Sequence, residues 1–131
     1  MIKFENVSKK FGEVAALDKV NFELKPGEFV FIIGPSGAGK TTLVKLILKD
    51  YLPTAGTIKI GGVNLEEIPK RKIPDYRRKI GVVFQDFKLL PDRTVLENIA
   101  LALRIFGEKE TEIIPKVMEV LGLFGIGERA D

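Results

Sequence analysis

No cysteine and no histidine occur among the 131 residues. Without thiols there is no disulfide, no zinc–thiolate centre and no cysteine nucleophile, and a reducing, cytosolic compartment fits. Without imidazole there is no Ser-His-Asp triad and no histidine metal ligand. Long apolar runs are missing too. The longest stretch without a charged residue is Phe29–Gly39, eleven residues, whereas a bilayer crossing takes about 18 or more. Met1–Glu5 opens on no apolar run of the secretory kind. Neither sign of charge dominates: 21 basic against 18 acidic residues leave +3, too mild a balance to imply a nucleic-acid partner. What remains, 45% hydrophobic and 30% charged residues, is the balance of a globular protein with one modest core.

Hydrophobic periodicity orders the chain. Ile2, Phe4 and Val7 predict a half-buried strand, and Val20, Phe22 and Leu24 a second, closed by the Pro26-Gly27 turn. Phe29–Ile33 is apolar throughout and rich in β-formers, which predicts a strand buried on both faces. A glycine-rich loop, Gly34–Gly39, leads into Thr42–Lys49, where Leu43, Leu46 and Ile47 stand at helical spacing. Thr57–Ile60 and Val63–Leu65 flank Gly61-Gly62, a short-hairpin signal. Ile80–Phe84 predicts another buried strand. Thr94 and Glu97 match a capping box, and the stripe Leu96, Ile99, Ala100, Leu103, Phe106 predicts a helix stopped at Gly107. A last helix is predicted over about Thr111–Leu121, with Pro115 tolerable in its first turn, Gly122 as its cap and Leu123 packing back.

One motif carries chemistry. Gly34-Pro35-Ser36-Gly37-Ala38-Gly39-Lys40-Thr41 satisfies G-x-x-x-x-G-K-[ST]. Glycines let the backbone fold tightly enough for several N–H groups to face one anion, and the following helix adds its positive end, where Thr42 continues the first turn. Lys40 can reach terminal phosphates, and the Thr41 hydroxyl can ligate Mg²⁺. Residue frequencies predict roughly 0.01 chance matches over a chain of this length. The strand before and the helix after supply the required context. The bland alternative is a glycine-rich turn with an exposed lysine.

Residues around this loop narrow the reading. Phe11 stands 23 residues before Gly34, in Lys9-Lys10-Phe11-Gly12; Gln85 follows the second apolar strand, in Gly81–Asp86; and Leu89–Asn98 reads Leu-Leu-Pro-Asp-Arg-Thr-Val-Leu-Glu-Asn. Together they resemble the ATP-binding subunit of ABC transporters. Met1–Ser8 and Leu89–Val95 are similar to the cell-division branch of that family, and similar segments occur in its lipoprotein-export and macrolide-export ATPases. The resemblance covers the whole chain. It implies an α/β, P-loop NTPase fold of the ABC type. Residues 1–86 would form an antiparallel β-subdomain and an incomplete nucleotide-binding core, and 87–131 the beginning of a helical subdomain. It implies ATP or ADP with Mg²⁺ as ligands. Phe11 would stack on adenine, its alternative being a core phenylalanine beside a turn. Gln85 would position Mg²⁺ and the attacking water, its alternative being a polar loop residue. Phe87, Leu89 and Leu90 would meet the coupling helix of an FtsX-like integral membrane protein, or pack in the core. The place of action would be the cytoplasmic face of the bacterial cell membrane, with membrane contact only through that partner. The basic residues Lys70-Arg71-Lys72 and Arg77-Arg78-Lys79 face acidic headgroups, an acidic partner or simply solvent.

The family's signature Leu-Ser-Gly-Gly-Gln, its Walker B aspartate with the following glutamate, and its switch histidine do not occur in these 131 residues. The chain is therefore expected to be an N-terminal fragment that binds nucleotide without efficient hydrolysis. In the family, strands absent here lie between Phe29–Ile33 and Ile80–Phe84. Their loss is expected to bare apolar strand edges and to promote self-association. A nucleotide monophosphate kinase is a rival reading of the loop. A non-enzymatic, nucleotide-gated docking module is another.

Overall fold

The computed structural model describes residues 1–129. The chain forms two compact units, Met1–Ile80 and Gly81–Asp131. Among the described residues no helix is long and apolar enough to cross a membrane.

The first unit is built on an antiparallel sheet. Strands β1 (Ile2–Phe11), β2 (Val14–Leu24), β3 (Ala55–Ile60) and β4 (Val63–Asn64) lie in the order β2-β1-β3-β4. β1 and β2 are longer than the alternation predicts and meet in a tight turn, Phe11 opposite Val14. The strict alternation breaks in β1. Phe4 and Val7 are both buried, three residues apart, because Asn6 takes a left-handed φ of 49° and the register shifts there. A bulge of this kind turns the next side chain back to the core face. Asn21 of β2 steadies it, accepting from the Asn6 N–H at 2.8 Å and donating to the Asn6 side-chain oxygen at 3.0 Å. The Gly61-Gly62 hairpin forms as expected, with φ of 58° and 83°, the twin positive values that a tight two-residue turn needs.

Helix α1 (Lys40–Ile47) lies on the sheet through Leu43 and Leu46. They join Phe4, Val7, Leu17, Ile58 and Leu65 in one cluster; burial of each leucine stabilises the packing by about 1.5–3 kcal/mol. Two short 3-10 turns (Leu65–Glu67 and Lys70–Lys72) lead into helix α2 (Ile73–Arg77), a one-turn element with Pro74 near its start.

The second unit holds two helices, α3 (Val95–Phe106) and α4 (Glu110–Leu123). The capping box is present in both directions: Thr94 Oγ1 accepts from the Glu97 N–H at 3.2 Å, and Glu97 accepts from the Thr94 N–H at 2.9 Å. Gly107 ends α3 in the left-handed region. Ala100, Ile113, Val117 and Leu121 form a small core.

Five expectations are corrected. Neither Phe29–Ile33 nor Ile80–Phe84 is a strand. A strand exists only through hydrogen bonds to a neighbour, and among the described residues none pairs with either segment. The apolar side chains of Phe29–Ile33 are all exposed, Ile33 at 90%, and in the second segment Val83 stands at 92% while Ile80 and Val82 are half-buried. Pro115 is the sixth residue of α4, past the first turn, and the helix runs through it. The i, i+4, i+8 burial of Ile113, Val117 and Leu121 outweighs the one amide lost there. Gly122 lies inside α4, Phe124 caps it, and Gly125 supplies the left-handed residue with φ 65°. Leu123 is exposed and does not pack back.

Candidate functional site: a glycine-rich loop at the start of a helix

The loop before α1 is shaped by turns. The Ala38 N–H donates to the Pro35 carbonyl at 3.2 Å, and Gly37 and Gly39 take φ of 82° and 85°. Gly39 is the N-cap of α1. A Cβ there would meet the Ala16 carbonyl oxygen of β2 at 2.4 Å, so the sheet backbone runs directly against the loop. The first intrahelical bond is from the Leu43 N–H to the Gly39 carbonyl, 2.9 Å. No side chain caps the amides ahead of it, and no acidic residue sits in the first turn. The N–H groups of Lys40, Thr41 and Thr42 thus point out of the helix unmet by an internal partner, at its positive end.

Lys40 folds back over the loop. Its Nζ donates to the carbonyls of Gly34 and Pro35, 2.7 Å each. The ammonium is therefore held on the two carbonyls that open the loop. This donor set of one cation and several N–H groups, with no carboxylate, suits a polyphosphate. No cluster of three or more Asp or Glu residues able to hold a metal exists among the described residues. A divalent ion here would depend on the Thr41 hydroxyl and on oxygens of the phosphate itself.

Phe11 ends β1 in the same unit. Its ring is 43% exposed and lies outside the core cluster. Tyr51 meets it edge-on at 5.1 Å between centroids, and Lys9 Nζ stands 5.0 Å from its centre. Lys9 is fixed in turn by the Leu52 carbonyl at 2.9 Å. Gln85 belongs to the second unit and is exposed. Phe87 and Leu89 are exposed as well, and Leu90 is about one-third exposed, at 36%. The loop that carries them is tied to α3 by Asn98, whose side chain accepts from the Leu90 N–H at 2.8 Å and donates to the Leu90 carbonyl at 3.1 Å.

Sequence reasoning missed the far end of α1. Arg77 belongs to a basic run whose sequence reads as facing solvent, acidic headgroups or an acidic partner. Its Nε donates to the Leu48 carbonyl at 2.9 Å and its Nη2 to the Lys49 carbonyl at 3.3 Å, and it pairs with Asp50. The Tyr76 hydroxyl donates to the Ile47 carbonyl. Burial pushes the Tyr76 phenol up to about 12. The only sequence signal was a tyrosine–arginine pair beside a short proline-started helix, which is common enough to carry no weight.

The family model for ABC transporters matches residues 17–130. The chain belongs to the ABC transporter family. Within it, the chain is similar to the cell division ATP-binding protein FtsE of Bacillus subtilis (strain 168), 47% identical over 131 residues, covering 99% of this chain and 58% of that protein. The FtsE of Escherichia coli (strain K12) is 44% identical, with 99% and 59% covered. Among solved structures, the dimeric post-hydrolysis state of the ATP-binding cassette MJ0796, bound to ADP and Pi, superposes with a TM-score of 0.81 at 40% identity, over 93% of this chain and 56% of that one. The chain thus spans less than two thirds of the length of these relatives. Its α/β fold is that of the N-terminal part of an ABC ATPase, as the loop and its flanking residues imply.

Proposed function

We propose that this chain is the nucleotide-holding part of an FtsE-like ABC ATPase, which couples ATP binding and hydrolysis to an FtsX-like integral membrane protein in bacterial cell division. The observation that carries the reading is the Lys40 ammonium held 2.7 Å from two loop carbonyls beside the uncapped first turn of α1. The relatives support it: FtsE proteins are named for ATP binding, and the MJ0796 cassette holds ADP and Pi.

In this reading Gly34–Gly39 and the amides of Lys40, Thr41 and Thr42 wrap the phosphates, and Lys40 swings from the two carbonyls onto them. Phe11 offers its exposed face to adenine, with Tyr51 and Lys9 steadying the ring. Mg²⁺, when bound, would neutralise phosphate charge; the Thr41 hydroxyl is the side chain beside the loop that would hold it. The exposed Phe87, Leu89 and Leu90 meet the membrane partner at the cytoplasmic face of the cell membrane. Exposed Phe29–Ile33 favours pairing with a second chain, and the MJ0796 cassette is dimeric. The chain supplies Lys40, Thr41 and Gln85 but no histidine. Phosphoryl transfer needs metal, water and charge placed together, so these residues alone bind nucleotide and turn it over at background rate.

Calorimetric titration with Mg-ATP and ADP, against Lys40→Ala, tests the reading. Saturable binding lost in the variant supports it. Equal heats in both proteins, or none in either, overturn it. Turnover well above Lys40→Ala would overturn the background-rate part.

A further inference from the structure

Helix α1 begins at the phosphate loop and ends in an unusual way. The carbonyls at and just past its end divide into two groups. Those of Val44, Lys45 and Leu46 are met by the chain itself, through the N–H groups of Leu48, Asp50, Tyr51 and Lys49 at 2.8–3.2 Å. Those of Ile47, Leu48 and Lys49 are met by side chains from α2: the Tyr76 hydroxyl, then Arg77 Nε, then Arg77 Nη2. Lys49 sits in the left-handed region with φ 55°, a conformation that asks for glycine. It is held there from two sides, by Arg77 on its carbonyl and by its own Nζ on the Ile68 carbonyl.

Apolar contacts alone do not place a helix along its own axis, because burial is non-directional. Hydrogen bonds to successive carbonyls do. A helix of eight residues is about 12 Å long and moves as a rod. Whatever sets its C-terminal turn therefore sets the aim of Lys40 and of the first-turn amides. A guanidinium at the negative end of the helix also suits its dipole.

We propose that Arg77, with Tyr76, is a positioning residue of the nucleotide site: it seats α1 from the far end and so aims the loop at the phosphates. This rests on the nucleotide-binding reading above. Arg77 touches no ligand in this scheme.

The experiment compares wild type with Arg77→Ala and Arg77→Lys. Binding of ATP and of inorganic tripolyphosphate is measured by calorimetry, and the folded fraction by circular dichroism. About a tenfold loss of affinity is expected in Arg77→Ala for both ligands, equivalent to about 1.4 kcal/mol, with the folded fraction unchanged. Arg77→Lys keeps the charge and loses the planar fork, and about a threefold loss is expected. Because the Arg77 side chain is 44% exposed, methylguanidinium can enter the Arg77→Ala gap, and partial recovery of tripolyphosphate affinity is expected. A merely stabilising residue would not show that recovery in an already folded variant. If Arg77→Ala does not fold, Arg77→Lys decides. Wild-type affinity in every folded variant overturns the proposal while leaving the nucleotide site intact. Absence of triphosphate binding in wild type sinks the site itself.

Discussion

A methyl group on Gly39 would lie 2.4 Å from the Ala16 carbonyl oxygen and 2.8 Å from Leu17 Cδ2. The obstacle is sheet backbone at a bulge of β2, between Ala15 and Leu17, which pair with Lys10 and Lys9 of β1. Gly37 has nearly the same φ, 82° against 85°, but nothing within 4 Å of its would-be Cβ. Both alanine substitutions pay for the left-handed conformation; Gly39→Ala adds overpacking of about 1–3 kcal/mol. Urea unfolding should show Gly39→Ala less stable than Gly37→Ala by that margin. Equal midpoints would mean that the loop does not bear on β2.

Glu5 lies between Lys3 and Lys59, 2.9 Å from each. Hydrogen bonds from these two lysines hold its carboxyl at about 2, against 4.5 ordinarily. In the window between those values the unfolded chain binds more protons than the folded one, so stability falls as pH drops. The contribution is complete above 4.5 and lost toward 2. Other carboxylates, Asp86, Glu108 and Glu110, are lowered as well by their paired cations. The check is therefore a difference: denaturation midpoints at pH 5.5 and 2.5 should diverge less in Glu5→Gln than in wild type.

Tyr76 behaves oppositely. Its burial favours the neutral phenol, which also donates to the Ile47 carbonyl. Folded, it titrates at about 12 instead of 10. Its contribution is whole below pH 10 and disappears as pH rises from 10 toward 12, where the unfolded chain has already lost the proton. Melting temperature should drop more steeply over that range in wild type than in Tyr76→Phe. A parallel decline in the two proteins would contradict the assignment.

Thr94→Ala removes one half of the α3 capping box. A cost of about 1 kcal/mol is expected. Amide exchange should show it first in the N-terminal turn of α3, at Glu97 and Asn98, whose N–H groups bond to Thr94, with β1 and β2 unaffected.

Local chemistry was legible wherever it is decided by neighbours in the chain. The Gly61-Gly62 turn needs only two residues free to take positive φ. The Thr94–Glu97 box needs only a hydroxyl and a carboxylate three positions apart. The loop from Gly34 to Thr41 is a backbone geometry written in glycines, followed by one cation, and it announces phosphate chemistry without any partner element. The apolar stripes that place α1 and α3 on their cores are periodicities of 3.6 residues and could be read directly.

Other features depend on groups far apart in the chain. Phe29–Ile33 and Ile80–Phe84 have strand composition, yet a strand is a relation between two segments, and composition does not supply the second. The Asn6 bulge shifts Val7 onto the core face through a bond to Asn21, fifteen residues away. Arg77 reads as one more surface cation until folding brings it to the carbonyls of Leu48 and Lys49. Residue type states which bonds a group is able to make; the path of the backbone through space selects the partner, because a hydrogen bond is decided within a few tenths of an ångström.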